Sequence, residues 1–181
     1  MELAGSVLIV LNSVAAAVLL QAGLYKMAVP APLRRALAEL APRYFGALRD
    51  RHVRVVAAVE ISVGLALLAP AVRVPGAIAA AVLGVAFAVL GVAGMLRRSE
   101  APCGCLGAGA PRSLGLLNVV VGLVLAAFGV FSATATVVGG SFRLGPVLTA
   151  LFLLLLCVWM NRGVALQLLR RKAALVRMGD S

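Results

Sequence analysis

The sequence predicts an all-α fold, a polytopic transmembrane helix bundle with four core spans plus a fifth, and three observations carry that prediction. Hydrophobic residues make up 63% of the 181 and charged residues only 13%, with a mean hydropathy of +1.09, whereas a soluble domain is nearer half apolar. The apolar residues fall in long runs, and a hydrocarbon core of about 30 Å takes roughly 20 such residues per crossing. Proline, glycine and arginine collect in the gaps between runs, where the chain must turn.

The first run covers about Leu3 to Leu24. Glu2 is its one early charged neighbour, so there is no basic leader region, and the run exceeds the apolar core of a signal peptide; it reads as a retained helix. Further runs cover about Val55 to Val72, Gly76 to Leu96, Leu114 to Phe131 and Leu144 to Met160. Pro70, Arg73 and Pro75 mark the turn between the second and third. Pro102 and Pro111 bracket a cysteine-containing loop, and Gly139, Gly140 and Pro146 mark the last turn. The chain therefore divides into a four-helix membrane domain over residues 1–135, an additional fifth span over 136–162 and a basic amphipathic tail over 163–181.

Between the first two spans, Leu33, Leu37, Leu40, Tyr44 and Leu48 recur at helical spacing, with Arg34, Arg35, Glu39, Arg43 and Arg49 filling the remaining surface. This pattern predicts an interfacial amphipathic helix broken near Pro42. On the third span, Ala80, Gly84 and Ala88 form a ladder of small residues that lets a neighbouring backbone approach closely.

A net charge of +11 raises nucleic acid as a partner, but the basic residues stand beside apolar runs, where they anchor helices against anionic lipid. The partner they imply is the bilayer, not nucleic acid. With five crossings, fifteen basic residues share one face and two, Arg73 and Arg143, the other. The excess of basic residues on cytoplasmic loops then puts the N-terminus outside and the cysteine loop in the cytoplasm. An arginine-dominated composition rich in Ala, Gly and Val matches GC-rich bacterial coding, so the expected location is a bacterial inner membrane.

Few residues can carry chemistry. Glu60 is the one acidic residue inside an expected span, so it should face the bundle interior and find a partner or a proton. Lys26, closing the first span on the same face, is the natural ion partner, with Arg97 and Arg98 in competition. The pair reads equally as a structural salt bridge or as a proton-relay or ligand-binding site. Asn118, about one turn into the fourth span, stands beside the cysteine loop, while Asn12 and Gln21 read as helix-packing amides.

Cys103 and Cys105 flank a single glycine. A disulfide between them closes a small ring far from relaxed geometry, and strain of that kind makes an oxidising exchange partner. Arg97, Arg98 and Arg112 lie near in sequence and favour the thiolate. Cys157 reads as a third, resolving thiol or as an ordinary buried cysteine. A zinc site drawn from Cys103, Cys105, Cys157 and His52 competes poorly, because one intervening residue is tight for two ligands to one ion; no metal is expected. A structural turn with unreactive cysteines also competes.

Gly23-Leu24-Tyr25-Lys26-Met27 at the end of the first span, the proline-containing connector, Glu60-Ile61-Ser62-Val63-Gly64-Leu65, Cys103-Gly104-Cys105-Leu106-Gly107 and Asn118 together resemble the MauE branch of the DoxX-like membrane proteins, over roughly the first 135 residues. The resemblance implies participation in methylamine utilisation, in which MauE-type proteins are linked to maturation of the disulfide-rich methylamine dehydrogenase, and it implies a thioredoxin-like redox partner or client enzyme. The matching polar positions are Lys26, Glu60, Cys103, Cys105 and Asn118.

The expectation is a membrane thiol–disulfide redox protein, with Cys103 and Cys105 as the exchanging pair, Lys26 and Glu60 tuning local charge, and Asn118 orienting the loop or a bound quinone-like acceptor. No residue pattern identifies a quinone, and 5% aromatic content gives a flat ring few stacking partners. A scaffold or assembly factor docking a redox partner, and a small-solute transporter coupled to protons through Glu60, are the alternatives. Disulfide formation in an exported client belongs outside the cytoplasm, whereas the charge count puts the cysteine loop inside.

Overall fold

Glu2 to Ala28 forms one unbroken helix, α1, in the computed structural model, which describes residues 2–46, 48–98, 115–134, 148, 151–153 and 155. Leu, Val and Ala run through it without proline, and it continues past Leu24 through the Tyr25–Ala28 turn. Helix α2 (Ala31–Leu40) follows at once. Pro32 sits in its first turn, where a missing N–H costs nothing. The helix stops ahead of Pro42, which opens the short α3 (Pro42–Phe45).

Helix α4 spans Asp50–Leu68. It starts five residues ahead of the apolar run, because its first turn is charged but well capped. The Arg49 backbone N–H donates to His52 Nδ1 at 3.1 Å, the His52 N–H returns to the Arg49 carbonyl at 3.0 Å, and Asp50 sits at the positive end of the helix dipole. Val53, Ala57, Glu60, Val63, Gly64 and Leu67 form its buried face. A 3-10 turn at Pro70–Val72 leads into α5 (Arg73–Leu96), so Pro75 lies in the first turn of that helix and not in the connection before it. Helix α6 covers Leu116–Thr134.

Among the described residues, three stretches are long and apolar enough to cross a membrane: Leu8–Ala28, Pro70–Leu96 and Leu116–Thr134. Helix α4 carries Asp50, Arg51, Arg54 and Glu60 within its 19 residues, which lowers its hydropathy, yet it packs against both α1 and α5. The chain is thus an all-helical, multi-pass membrane protein over the described residues. Of the expected fifth run, Leu148, Leu151, Phe152, Leu153 and Leu155 are helical; the rest, like the basic tail, lies outside the described residues.

Helices α5 and α6 make the most extensive pairing, and small residues are the reason. A Cβ on Gly84 would stand 2.5 Å from the Ala126 nitrogen and 2.6 Å from the Gly122 carbonyl oxygen, and one on Gly122 would stand 2.5 Å from the Ala88 nitrogen. The two backbones are in contact, which maximises dispersion where lipid supplies little hydrophobic drive. Gly129 meets Ala77 and Ala81, while Gly91 meets Val119 and Asn118, so the helices run antiparallel. Gly64 against Ala16 and Leu20, and Gly23 against Ala57 and Ile61, set α1 antiparallel to α4 in the same way.

One core, Ala16, Leu19, Val63, Leu67, Ala80 and Leu125 among its members, joins these four helices. A second forms where α2 lays Leu33, Ala36 and Leu40 on Val53 of α4, with Leu90 and Ala93 of α5 alongside, leaving Arg35 and Glu39 outward. Val14, Val59, Val82, Val89 and Val124 are exposed on the bundle exterior, the surface an apolar solvent would cover.

Candidate functional site

The C-terminal end of α1, the N-terminal half of α4, the C-terminal end of α5 and the start of α6 share one end of the bundle. At that end α1 and α4 draw together because position 23 is glycine; a Cβ there would lie 2.7 Å from Ile61 Cγ1 and 2.9 Å from the Ala57 carbonyl oxygen. The close approach brings Lys26, one turn on, within reach of Glu60. Lys26 Nζ donates to Glu60 Oε1, forming a buried ion pair whose side chains are 1% and 0% exposed.

A third helix contributes to the pair. The Phe87 ring of α5 lies with its centroid 4.9 Å from Lys26 Nζ, within range of a cation–π attraction that strengthens when desolvated. Two ions removed from water cost several kcal/mol each after relaxation, repaid only by good mutual geometry and further hydrogen bonds. The ammonium has the carboxylate and the ring face. The carboxylate is less well served: Oε2 is fully buried, and among the described residues nothing hydrogen-bonds it.

Of the sequence-predicted residues, the structure brings Lys26 and Glu60 together. Arg97 and Arg98, the competing cations, are exposed at the end of α5. Phe87 was not anticipated; an aromatic residue in an apolar run carries no mark of a cation beside it. Asn118 is buried on the first turn of α6 against Gly91, one turn along α5 from Phe87. Among the described residues, the hydrogen-bond partner of Lys26 is Glu60 and not Asn118.

Cys103, Cys105 and Cys157 lie outside the described residues. The connection bearing the first two leaves α5 at Arg98 and enters α6 at Gly115. Arg98 has φ 49°, the left-handed position after a helix that usually falls to glycine. Because α5 ends beside the start of α6, both ends of the connection sit at the Lys26 end of the bundle. At the opposite end, Ser132 Oγ donates to Asn12 Oδ1 at 3.0 Å, and Arg73 Nη1 donates to the Ser132 carbonyl oxygen at 2.9 Å, so Asn12 does serve helix packing.

Apolar antiparallel helices closed around the Lys26–Glu60 ion pair define a polytopic membrane protein with a polar site at one end of its bundle. The family model described as methylamine utilisation protein MauE matches residues 4–132, and the chain belongs to the MauE family. That match takes in Lys26, Glu60, Phe87, Cys103, Cys105 and Asn118 and stops two residues before the end of α6. No curated protein and no solved structure matches the chain.

Proposed function

We propose that this chain is a thiol–disulfide redox protein of the bacterial cell membrane, assisting disulfide formation in, or maturation of, a partner enzyme of the methylamine dehydrogenase type. The observation that carries the reading is the Cys103-Gly104-Cys105 motif, inside the region matched by the MauE family model, in the connection whose two ends meet at the Lys26–Glu60 end of the bundle. Two thiols one residue apart, near in sequence to Arg97, Arg98 and Arg112, suit exchange through the thiolate. A client thiolate attacks the Cys103–Cys105 disulfide, a mixed disulfide forms, and a second client thiol displaces the remaining cysteine. The two electrons and two protons of the client dithiol end on Cys103 and Cys105, and exchange with a thioredoxin-like disulfide returns the pair to its oxidised form.

In this reading α4 crosses the membrane beside α1. Its 19 residues extend about 28 Å at the helical rise, close to the hydrocarbon thickness, and Lys26 neutralises the one ionised group well inside it. Residues 144–160 supply the fifth crossing, α2 lies along the interface, and Asn118 orients the cysteine connection or a quinone-like acceptor.

The test is acid trapping of thiols in cells followed by alkylation, with Cys103→Ser, Cys105→Ser and the double variant compared for maturation of the client. Cycling of the pair between oxidised and reduced forms, with maturation lost in each variant, supports the reading. Thiols that stay reduced, with maturation intact in the double variant, refute it. The second reading, a scaffold that docks a thioredoxin-like partner without exchanging electrons, is favoured by the way Lys26, Glu60 and Phe87 tie three helices together; it predicts full function without the cysteines.

A further inference from the structure

The unshared oxygen of Glu60 marks a function that the cysteine chemistry does not use. A salt bridge that served only to hold helices together would be expected to engage both carboxylate oxygens, since an unsatisfied buried acceptor costs about 1–3 kcal/mol and more when charged. Here Lys26 takes Oε1, the Phe87 face takes one side of the ammonium, and Oε2 is buried without a partner among the described residues. An ammonium has three N–H donors, and one of these is committed to Oε1. A spare acceptor therefore stands beside spare donors, and among the described residues Lys26 is the cation paired with Glu60. Neighbouring α5 brings Phe87 to the pair, and α1 brings Gly23 against Glu60.

We propose that Glu60 is a proton-exchanging carboxyl, with Oε2 and the Lys26 ammonium together holding one water molecule through which the proton arrives and leaves. A guest at this position must donate to Oε2 when the carboxylate is charged and accept from it when the carboxyl is protonated; water does both, and it also accepts from Nζ. The step is a simple proton transfer. Hydronium gives its proton to Oε2, leaving a neutral carboxyl and a water molecule, and no electrons move. The location fits such exchange, for Lys26 is in the last turn of α1, at the basic end of the bundle.

Dicyclohexylcarbodiimide tests this directly, because it enters apolar sites and couples only to protonated carboxyls. The full chain in native membranes should form an adduct on Glu60, detected by peptide mass, in a yield that rises as pH falls. Lys26→Met should label more strongly, since the cation holding the carboxylate charged is gone, and Glu60→Gln should lose the adduct completely. A Cys103→Ser/Cys105→Ser variant should label as the parent does, which separates this inference from the redox reading. If the parent stays unlabelled from acid to alkaline pH while Lys26→Met labels, the pair is permanently charged and the proposal fails. It fails equally if neither labels. Infrared spectra supply a second measurement: a carboxyl band that shifts in heavy water and vanishes in Glu60→Gln supports exchange, and its absence from the parent at acid pH overturns it.

Discussion

Lys26 and Glu60 are worth more to each other than either is to the bundle. Removing one partner leaves the other buried and uncompensated, so Lys26→Met or Glu60→Leu alone should cost about 3–5 kcal/mol, whereas replacing both should cost much less than the sum. Reversible unfolding in mixed micelles of the two single variants and the double variant measures that coupling; additive effects would mean the ions are not paired. Phe87→Leu should cost up to about 2 kcal/mol beyond its lost packing, the range of a desolvated cation–π contact, and that excess should disappear in a Lys26→Met background. The ion pair was legible in the sequence because an acid inside an apolar run must find a cation, and Lys26 closes the preceding run. Phe87 was not, since its role depends on which face of α5 turns toward α1, and neither composition nor spacing encodes that. That Oε2 has no hydrogen-bond partner among the described residues was likewise invisible, being a property of geometry rather than of residue type.

Among the helices, the α5–α6 seam should be the least tolerant of added volume. Gly84 and Gly122 each point at backbone atoms of the opposing helix, which cannot move aside as a flexible side chain can. Gly84→Val should therefore force the helices apart and cost at least the 1–3 kcal/mol typical of an overpacked core, measured by the same unfolding experiment; Ala86→Val, on the exposed face of α5, provides the comparison. The ladder of Ala80, Gly84 and Ala88 could be read from the third run alone, but its complement on α6, Gly122 and Gly129, could not be matched to it without knowing that the two helices are antiparallel partners. The start of α4 was misplaced for a different reason. A hydropathy run begins where charge ends, at Val55, while the helix begins where its backbone is capped, at Asp50, and the intervening Arg51, His52 and Arg54 are exposed residues that continue the helix without adding to its apolar signal. In α2, Leu33 and Leu40 of the expected apolar stripe are buried and Leu37 is half-buried, whereas the buried Ala36 is not part of that stripe, because a small side chain adds little to an apolar pattern.

At the scale of the molecule, the antiparallel packing of α1 with α4 and of α5 with α6 puts Lys26, the charged start of α4, Arg97 and Arg98 at one end, and leaves Arg73 at the other. The same partition extends through the whole sequence, where fifteen of the seventeen basic residues fall to one side when five crossings are counted. If α4 and residues 144–160 both cross, the retention of basic loops in the cytoplasm makes the cysteine connection cytoplasmic and the N-terminus external. A membrane-impermeant maleimide applied to intact cells should then leave Cys103 and Cys105 unmodified, with or without reductant, and should modify them after lysis; a cysteine introduced at the N-terminus should react from outside. The cytoplasm keeps thiols reduced, so labelling confined to lysed cells would count against direct exchange between this pair and an exported client. Reductant-dependent labelling from outside would support that exchange, and it would mean either that one of the five crossings is absent or that the bundle departs from the loop-charge bias.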